Sequence, residues 1–76
     1  MRIIKTAKDI YGKVIKVGDK VVAHSIYDPI RYNIIGIVTQ LHHQGKDGAI
    51  VTTNISLDPV YKHNNTHIAR YCEKVN

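Results

Sequence analysis

The sequence of 76 residues has little of what helices, disulfide networks and membrane spans require. It contains two Leu, four Ala and one Glu, which are residue types that favour helices. A single cysteine, Cys72, excludes an internal disulfide and fits a reducing compartment. No apolar run approaches the roughly 18 residues of a membrane-spanning helix. These absences argue against a helical fold, a disulfide-stabilised fold and a membrane protein.

The residues that are abundant favour strands. Twelve Ile, eight Val, five Thr and five Tyr make up 30 of the 76 residues. Side chains branched at Cβ suit the pleated, half-buried surface of a sheet, so the composition predicts an all-β fold. No segment has the composition of a linker or repeats at a fixed period, and residues 1–76 are predicted to form one domain.

The short length and the charge bear on function. A chain of this size buries only about 60–65% of its unfolded surface, which disfavours a large catalytic cleft walled by its own core. Lys and Arg number 11 against 6 Asp and Glu, for a net charge of +5. Residues 1–20 alone carry +4, because six basic side chains there face two Asp. The charge therefore permits an anionic partner and concentrates it in the first quarter of the chain. The opening residues have no apolar core of a signal peptide, so a cytoplasmic protein is expected.

Turn-forming residues divide the chain every 8–15 residues, the spacing of a small β-sandwich or barrel. Gly36 interrupts the longest apolar run and predicts a bent or bulged strand. Asp28-Pro29 predicts a turn, and Asp58-Pro59 predicts a short helical turn near 57–61. The C-terminal strand can be read with Ala69, Tyr71 and Val75 inward, or with Ile68 and Cys72 inward. Strands are predicted at about 2–6, 13–17, 20–27, 30–43, 48–56 and 66–75.

One pattern links the turns to a known architecture. It runs Asp9-x-x-Gly12-x-x-Ile15-x-Val17-Gly18-Asp19-x-Val21-Val22, followed by Gly36-x-Val38-x-x-Leu41. A Gly-Asp pair after an apolar residue makes a tight turn that starts a strand. The pattern, over residues 9–55, resembles the small SH3-like β-barrels of the KOW and Tudor-like kind, and also the short accessory proteins that bacteriophages encode. The resemblance implies a barrel of five to six strands and a host-cytoplasmic binding protein.

Metal binding and catalysis are both disfavoured. His42-His43 and His63-x-x-x-His67 are the groups that suggest a metal, but a structural zinc site in a small protein usually draws on several cysteines. We therefore interpret these histidines as solvated loop residues and predict no metal and no cofactor. Cys72 lies in a strand pattern, where a buried thiol is the usual finding, and no nucleophile motif is present. A non-enzymatic binding module is the resulting hypothesis.

Nucleic acid is the first predicted partner, either DNA or RNA. Lysines neutralise phosphates, and aromatic rings stack on bases. The alternative role of these lysines is to solvate a surface and protect an edge strand. The candidate residues are Lys5, Lys8, Lys13, Lys16 and Lys20, with Tyr11, Tyr27 and Tyr32.

A protein partner is the alternative, because Tyr and Arg are enriched at binding hot spots. The loop around Asp28-Pro29 carries the candidate contacts Tyr27, Ile30, Arg31 and Tyr32, through which the protein would dock on a host protein and inhibit or redirect it. Tyr32 is equally consistent with a place in the core. Self-association through an edge strand at 66–75 is a further expectation, since a small barrel gains stability by burying an edge.

Overall fold

A computed structural model describes residues 2–27 and 30–75. Strand residues make up 49% and helical turns 8%, so the all-β prediction is confirmed. The predicted turn at Asp28-Pro29 lies outside the described residues. Within those residues, no helix is long and apolar enough to cross a bilayer.

Eight strands are present in the described part of the chain, in two sheets. They are β1 (Arg2–Ile3), β2 (Thr6–Lys8), β3 (Val14–Lys16), β4 (Lys20–Ala23), β5 (Gly36–Gln44), β6 (Gly48–Thr53), β7 (Thr66–Ile68) and β8 (Cys72–Lys74). Six strands form one sheet in the order β7-β6-β5-β4-β8, with β1 paired to β5, and β2 pairs with β3 in a separate hairpin. Every strand pairing is antiparallel.

Strand β5 is the central strand of the larger sheet because it pairs with three other strands. One edge pairs first with β4 and then with β1, and the other edge pairs with β6 along most of its length. The pairing with β6 shifts register between Val38 and Gln40. The prediction of a bent or bulged strand in this apolar run is therefore confirmed, although Gly36 begins the strand instead of lying inside it. No strand pair in the described residues joins β7 to β8, so the sheet is open.

The core lies between the sheet and the β2–β3 hairpin. Alternation along a strand sends every second side chain inward. On the hairpin, Ala7 and Ile15 face each other across the two strands and are buried. They pack into one cluster with buried side chains of the sheet. Members of that cluster from the sheet and its connections include Val21, Ala23, Val38, Leu41, Val51, Leu57, Ala69 and Cys72.

The predicted strand at 30–43 is wrong in its first half. Residues 30–32 pair instead with the end of β4: Ser25 N–H donates to the Ile30 carbonyl at 2.8 Å, and Tyr32 N–H donates to the Ala23 carbonyl at 2.9 Å. These local bonds compete with the strand that β-branched composition favours. The segment becomes a loop folded back on β4, and β5 begins only at Gly36.

The helical turn predicted near 57–61 is absent. Asp58 Oδ1 does accept the N–H groups of Val60 and Tyr61, at 2.7 and 3.1 Å, as a capping residue would. The Tyr61 carbonyl, however, accepts the Ser56 hydroxyl at 2.6 Å, so the chain turns back without a helical repeat. The 3₁₀ turns lie elsewhere, at Gly45–Asp47 and Ala69–Tyr71.

The single strand predicted at 66–75 is two strands separated by the turn Ala69–Tyr71. The turn changes the phase of alternation, so neither of the two predicted inward sets is complete. Ala69 and Cys72 are both buried, whereas Ile68 and Tyr71 are half-buried. The two halves lie at opposite ends of the strand order.

Gly36 is required where β5 meets the loop after β6. A Cβ at this position would lie 2.6 Å from Leu57 Cδ2 and 3.3 Å from Thr53 Cβ. Leu57 is fully buried, so its side chain has little room to move away. This close approach explains the glycine in the middle of the apolar run.

We expect Gly36→Ala to lower the free energy of unfolding by about 1–3 kcal/mol, because it overpacks this contact. The measurement is urea denaturation of Gly36→Ala alone and combined with Leu57→Val, which removes the Cδ2 atom. In the Leu57→Val background, Gly36→Ala should lower the free energy of unfolding by less than it does in the parent protein. An equal cost of Gly36→Ala in both backgrounds would contradict the assignment.

Candidate functional site

A groove of about 530 Å³ lies between the loop that follows β4 and the loop that follows β6. Four of the five tyrosines line it: Tyr27 and Tyr32 from the first loop, Tyr61 from the second, and Tyr71 from the 3₁₀ turn before β8. Their rings are accessible to different degrees, since Tyr27 is 89% and Tyr61 is 70% exposed, whereas Tyr32 and Tyr71 are half-buried. The groove therefore has an aromatic floor and exposed aromatic lips.

The first wall is held by the backbone pairing of residues 23–25 with 30–32. His24 and Arg31 face each other in this pairing. The predicted residues Tyr27, Ile30, Arg31 and Tyr32 therefore lie on one loop, as the sequence suggested. Tyr32 also packs against the core cluster, so its two predicted roles, in the core and in the site, are compatible.

The second wall is the segment 54–65, where the sequence predicted the end of a strand and a short helical turn. Its shape depends on the Asp58 carboxylate and the Ser56 hydroxyl described above, which together hold Tyr61 at the lip. Val60 beside it is 74% exposed. Sequence reasoning missed Tyr61 because nothing local marks a loop residue as facing a loop more than thirty residues away.

The floor contains His67 and Tyr71. His67 Nε2 accepts the N–H of Leu57 at 3.3 Å, and burial lowers the pKa of this histidine although the Asp58 carboxylate opposes the shift. The ring is therefore held neutral as an acceptor. The guanidinium of Arg70 lies 5.3 Å from the centroid of the Tyr71 ring. A cation at that distance stabilises the ring position at the base of the groove.

An ion-pair cluster adjoins the groove through His24, which lines it. Glu73 Oε1 lies 3.0 Å from His24 Nε2 and accepts Arg31 Nε at 2.9 Å. The hydrogen bond from His24 lowers the pKa of Glu73 most, and Arg31 lowers it further, against the opposing effect of burial. Glu73 on β8 therefore holds His24 and Arg31, which belong to the first wall, against the sheet.

The fifth tyrosine, Tyr11, joins this groove to the basic hairpin. Its ring meets the His24 ring edge-on, with centroids 6.3 Å apart and planes at 82°. Tyr11 belongs to the turn between β2 and β3, and the side chain is 65% exposed. Tyr11 therefore stands beside a residue that lines the groove.

Asp9 determines the position of that turn. Its Oδ1 accepts the N–H groups of Tyr11 and Lys13, at 2.9 and 2.8 Å, and its Oδ2 accepts the N–H of Lys74 at 2.9 Å. Ile10 N–H also donates to the Cys72 carbonyl at 2.8 Å. One carboxylate therefore closes the hairpin turn and ties it to the outer edge of β8.

The predicted lysines are all exposed, but they are not all together. Lys8 and Lys16 share the outer face of the hairpin, opposite the buried pair Ala7 and Ile15. Lys13 and Lys16 line a second, shallower depression of about 460 Å³, together with Val14 and Lys74. Lys5, between β1 and β2, and Lys20, at the start of β4, lie outside that lining.

Sequence reasoning missed Lys74, which lies about sixty residues from its neighbours in the depression. The pairing of β8 with β4 and the bond from Lys74 N–H to Asp9 bring it there. Within residues 2–27 and 30–75, no three His, Cys, Asp or Glu side chains are grouped so that they would hold a metal ion.

The hydrogen bonds that the Asp9 carboxylate accepts make the stability of the fold depend on pH. Burial would raise the pKa of Asp9, but the N–H groups of Lys74, Lys13 and Tyr11 together lower it below its ordinary value of 3.8. The carboxylate therefore stabilises the fold fully above pH 4 or so, where it is ionised in both states. That contribution is lost as the pH falls through the lower folded-state pKa.

We expect Asp9→Asn to lower the free energy of unfolding near neutral pH by about 1–3 kcal/mol, since an amide cannot accept at both oxygen positions. The difference in the free energy of unfolding between the variant and the parent protein should narrow as the pH drops below about 4. Urea denaturation at a series of pH values measures it, with the exposed Asp47→Asn as the matched control. A gap that stays constant down to pH 2 would contradict the role of this carboxylate.

The thiol of Cys72 behaves as a core group. It is fully buried, and Sγ donates to the Ile68 carbonyl at 3.5 Å. Burial, and then the Asp9 carboxylate, raise the pKa of the thiol from 9.0 to about 12. At pH 8 a thiol with that pKa has roughly a thousandth of the thiolate of an ordinary one.

We therefore expect iodoacetamide to alkylate Cys72 at pH 8 at least about a hundredfold more slowly in the native protein than in guanidinium, where the same residue is its own control. Mass spectrometry follows the reaction. Rates within tenfold of each other would show that the thiol is open to solvent and ionisable.

Comparison with known protein families, with curated proteins and with solved structures finds no match to this chain. The arrangement of the groove and the hairpin is therefore the basis on which a function is argued.

Proposed function

We propose that this protein is a non-enzymatic module that binds single-stranded nucleic acid, with bases in the tyrosine groove and phosphates along the lysines of the β2–β3 hairpin. One observation carries the proposal: the turn of the basic hairpin lies against the groove through the contact of Tyr11 with His24. The hairpin that carries the lysines thus adjoins the groove that the tyrosines line. Proteins that bind single strands combine these two elements.

The strand order supports an SH3-like barrel as the scaffold of this proposal. From β4 to β8 the chain makes a run of antiparallel strands whose last member returns to pair with the first, after the 3₁₀ turn Ala69–Tyr71. We propose a partly open barrel of this kind, with the β2–β3 hairpin as an addition to it. Its loops leave the groove free for a ligand.

The aromatic surface favours unpaired bases. Each base offers a ring face to a tyrosine, and stacking contributes about 1–3 kcal/mol per base with little dependence on sequence. In a duplex these faces are stacked on neighbouring pairs and are hidden. The exposed rings of Tyr11, Tyr27 and Tyr61 suit bases that are splayed out from the strand.

The charges around the hairpin are available for phosphates. The two acidic residues of the basic segment, Asp9 and Asp19, both accept backbone N–H groups. Among the described residues, no predicted lysine has a carboxylate oxygen within 4.0 Å of its ammonium group. Such lysines release condensed counterions when phosphates replace them, which makes binding strongly dependent on salt.

Binding rather than catalysis is supported by the state of the groups that would do chemistry. Cys72 is buried with a raised pKa, and the carboxylate of Glu73 is engaged by His24 and Arg31. By its motif resemblance we further propose that the protein is of the bacteriophage accessory type and acts by occupying its target.

The test is fluorescence anisotropy with labelled twelve-nucleotide single strands of DNA and RNA. We expect Tyr27→Ala and Tyr61→Ala to weaken binding about 5- to 150-fold each, because each removes a stacking ring, while Tyr27→Phe and Tyr61→Phe keep most of the affinity. Affinity should fall steeply between 50 and 200 mM salt. Affinity that is independent of salt, or that is unchanged in both alanine variants, would contradict the proposal.

A protein partner is the second candidate, and a specific observation favours it. Apolar side chains stand exposed on both lips of the groove: Ile26 and Ile30 are each 53% exposed, and Val60 is 74% exposed. Such side chains around aromatic and Arg residues are typical of protein contacts. A stoichiometric protein retained from nuclease-treated lysate, and no longer retained by Tyr27→Ala, would support this candidate, in which the protein blocks or redirects a host protein.

A further inference from the structure

Three lysines from distant parts of the chain meet in one shallow depression. Lys13 and Lys16 come from the hairpin and Lys74 from β8, and Val14 completes the lining of about 460 Å³. Like charges repel, so such a group of ammonium ions does not assemble without a cause. The backbone contacts beneath them supply that cause.

Two carboxylates gather the three lysines through their backbone N–H groups. Asp9 accepts the N–H of Lys13 at 2.8 Å and that of Lys74 at 2.9 Å, which brings the start of β3 beside β8. Asp19 Oδ2 accepts the N–H of Lys16 at 2.8 Å and lies 3.6 Å from Lys74 Nζ. The depression is therefore built by the same bonds that close the turns on either side of β3.

These carboxylates leave the ammonium groups of two of the three lysines without an ion pair. Asp9 is only 5% exposed, and three N–H groups occupy its oxygens; the charge of Lys13 helps to lower its pKa, but in the described residues no lysine ammonium group lies within 4.0 Å of its carboxylate. Asp19 contacts the Lys74 ammonium alone. In the described part of the chain, the ammonium groups of Lys13 and Lys16 have no acidic partner within 4.0 Å. An anion entering the depression would meet two unpaired ammonium groups and a third held beside them.

We propose that this depression binds a phosphate group, and, resting on the proposed function, that it seats a backbone phosphate of the strand whose bases lie in the groove. Lys is a compact point charge that binds phosphate without demanding a fixed fork geometry. Lys13 follows Tyr11 by two residues, so their Cα atoms are at most about 7 Å apart. A strand leaving the groove past Tyr11 therefore reaches the depression directly.

The experiment compares two triple variants of the full chain that remove the same amount of charge. The depression variant is Lys13→Gln with Lys16→Gln and Lys74→Gln, and the matched control is Lys5→Gln with Lys20→Gln and Lys46→Gln, all exposed or half-buried positions. Circular dichroism verifies the fold of each variant. The probes are pyrophosphate, followed by ¹H–¹⁵N NMR, and a labelled twelve-nucleotide single strand, followed by anisotropy.

We expect pyrophosphate to shift the amide signals around 13–16 and 74 in the parent and the control, but not in the depression variant. Oligonucleotide affinity at low salt should fall about tenfold or more in the depression variant and clearly less in the control. The slope of log K against log salt should also become shallower by about 0.7 for each phosphate that the variant no longer neutralises.

Equal decreases in affinity in the two triple variants would overturn the proposal, because net charge alone would then explain binding. Oligonucleotide binding that depends on Tyr27 and Tyr61 but not on the depression would overturn this inference and leave the proposed function standing. Pyrophosphate binding at the depression without any oligonucleotide binding would contradict the proposed nucleic-acid function. It would support a phosphate site that serves free phosphate compounds.

Discussion

The carboxylate of Asp9 makes the hydrogen bonds on which both candidate surfaces depend. It is buried in a protein of 76 residues and accepts three backbone N–H groups, two from its own turn and one from β8 near the other end of the chain. A buried charge is tolerated only when it is fully hydrogen-bonded, so the turn, the hairpin and β8 are coupled. Through Tyr11 this coupling places the hairpin turn against His24 of the groove, and through Lys13 and Lys74 it helps to form the depression.

The same carboxylate also helps to arrange the lysines of the basic N-terminal segment. A net charge of +4 over twenty residues is compatible with a lysine-covered surface that serves only solubility. The fold instead turns Lys8 and Lys16 to one face of the hairpin and collects Lys13 and Lys16 with Lys74, while Lys5 and Lys20 lie apart. The acidic residues of the segment are used as backbone acceptors rather than as partners for lysine side chains in the hairpin. The charge of the hairpin therefore lies on its outer face and in the depression beside β8.

Local chemistry was enough to predict the fold class and several turns. β-branched composition predicted strands, and the turn at Val17-Gly18-Asp19 is confirmed, with Gly18 at a φ of +96° and Asp19 N–H donating to the Lys16 carbonyl. Gly36 was predicted to mark a bent or bulged strand, and the register of β5 with β6 does shift two to four residues after it. Contacts between distant segments could not be predicted, since no local pattern shows that Tyr61 and Tyr27 line one groove or that Lys74 and Lys13 line one depression. Local bonds also overrode propensity, as in the loop where residues 30–32 fold back on β4 instead of extending β5.

A direct test of single-strand binding is a ¹H–¹⁵N NMR titration of the full chain with an unlabelled single-stranded oligonucleotide. We expect the amide signals that shift most to belong to residues 24–27, 30–32, 58–64 and 11–16, which together form the groove and the adjoining hairpin. The outer end of β5 and β6, around His43 and Ala49, should stay unchanged. Shifts centred on that end of the sheet, or no shifts at millimolar oligonucleotide and low salt, would contradict a single-strand binding surface built from the tyrosine groove and the lysine hairpin.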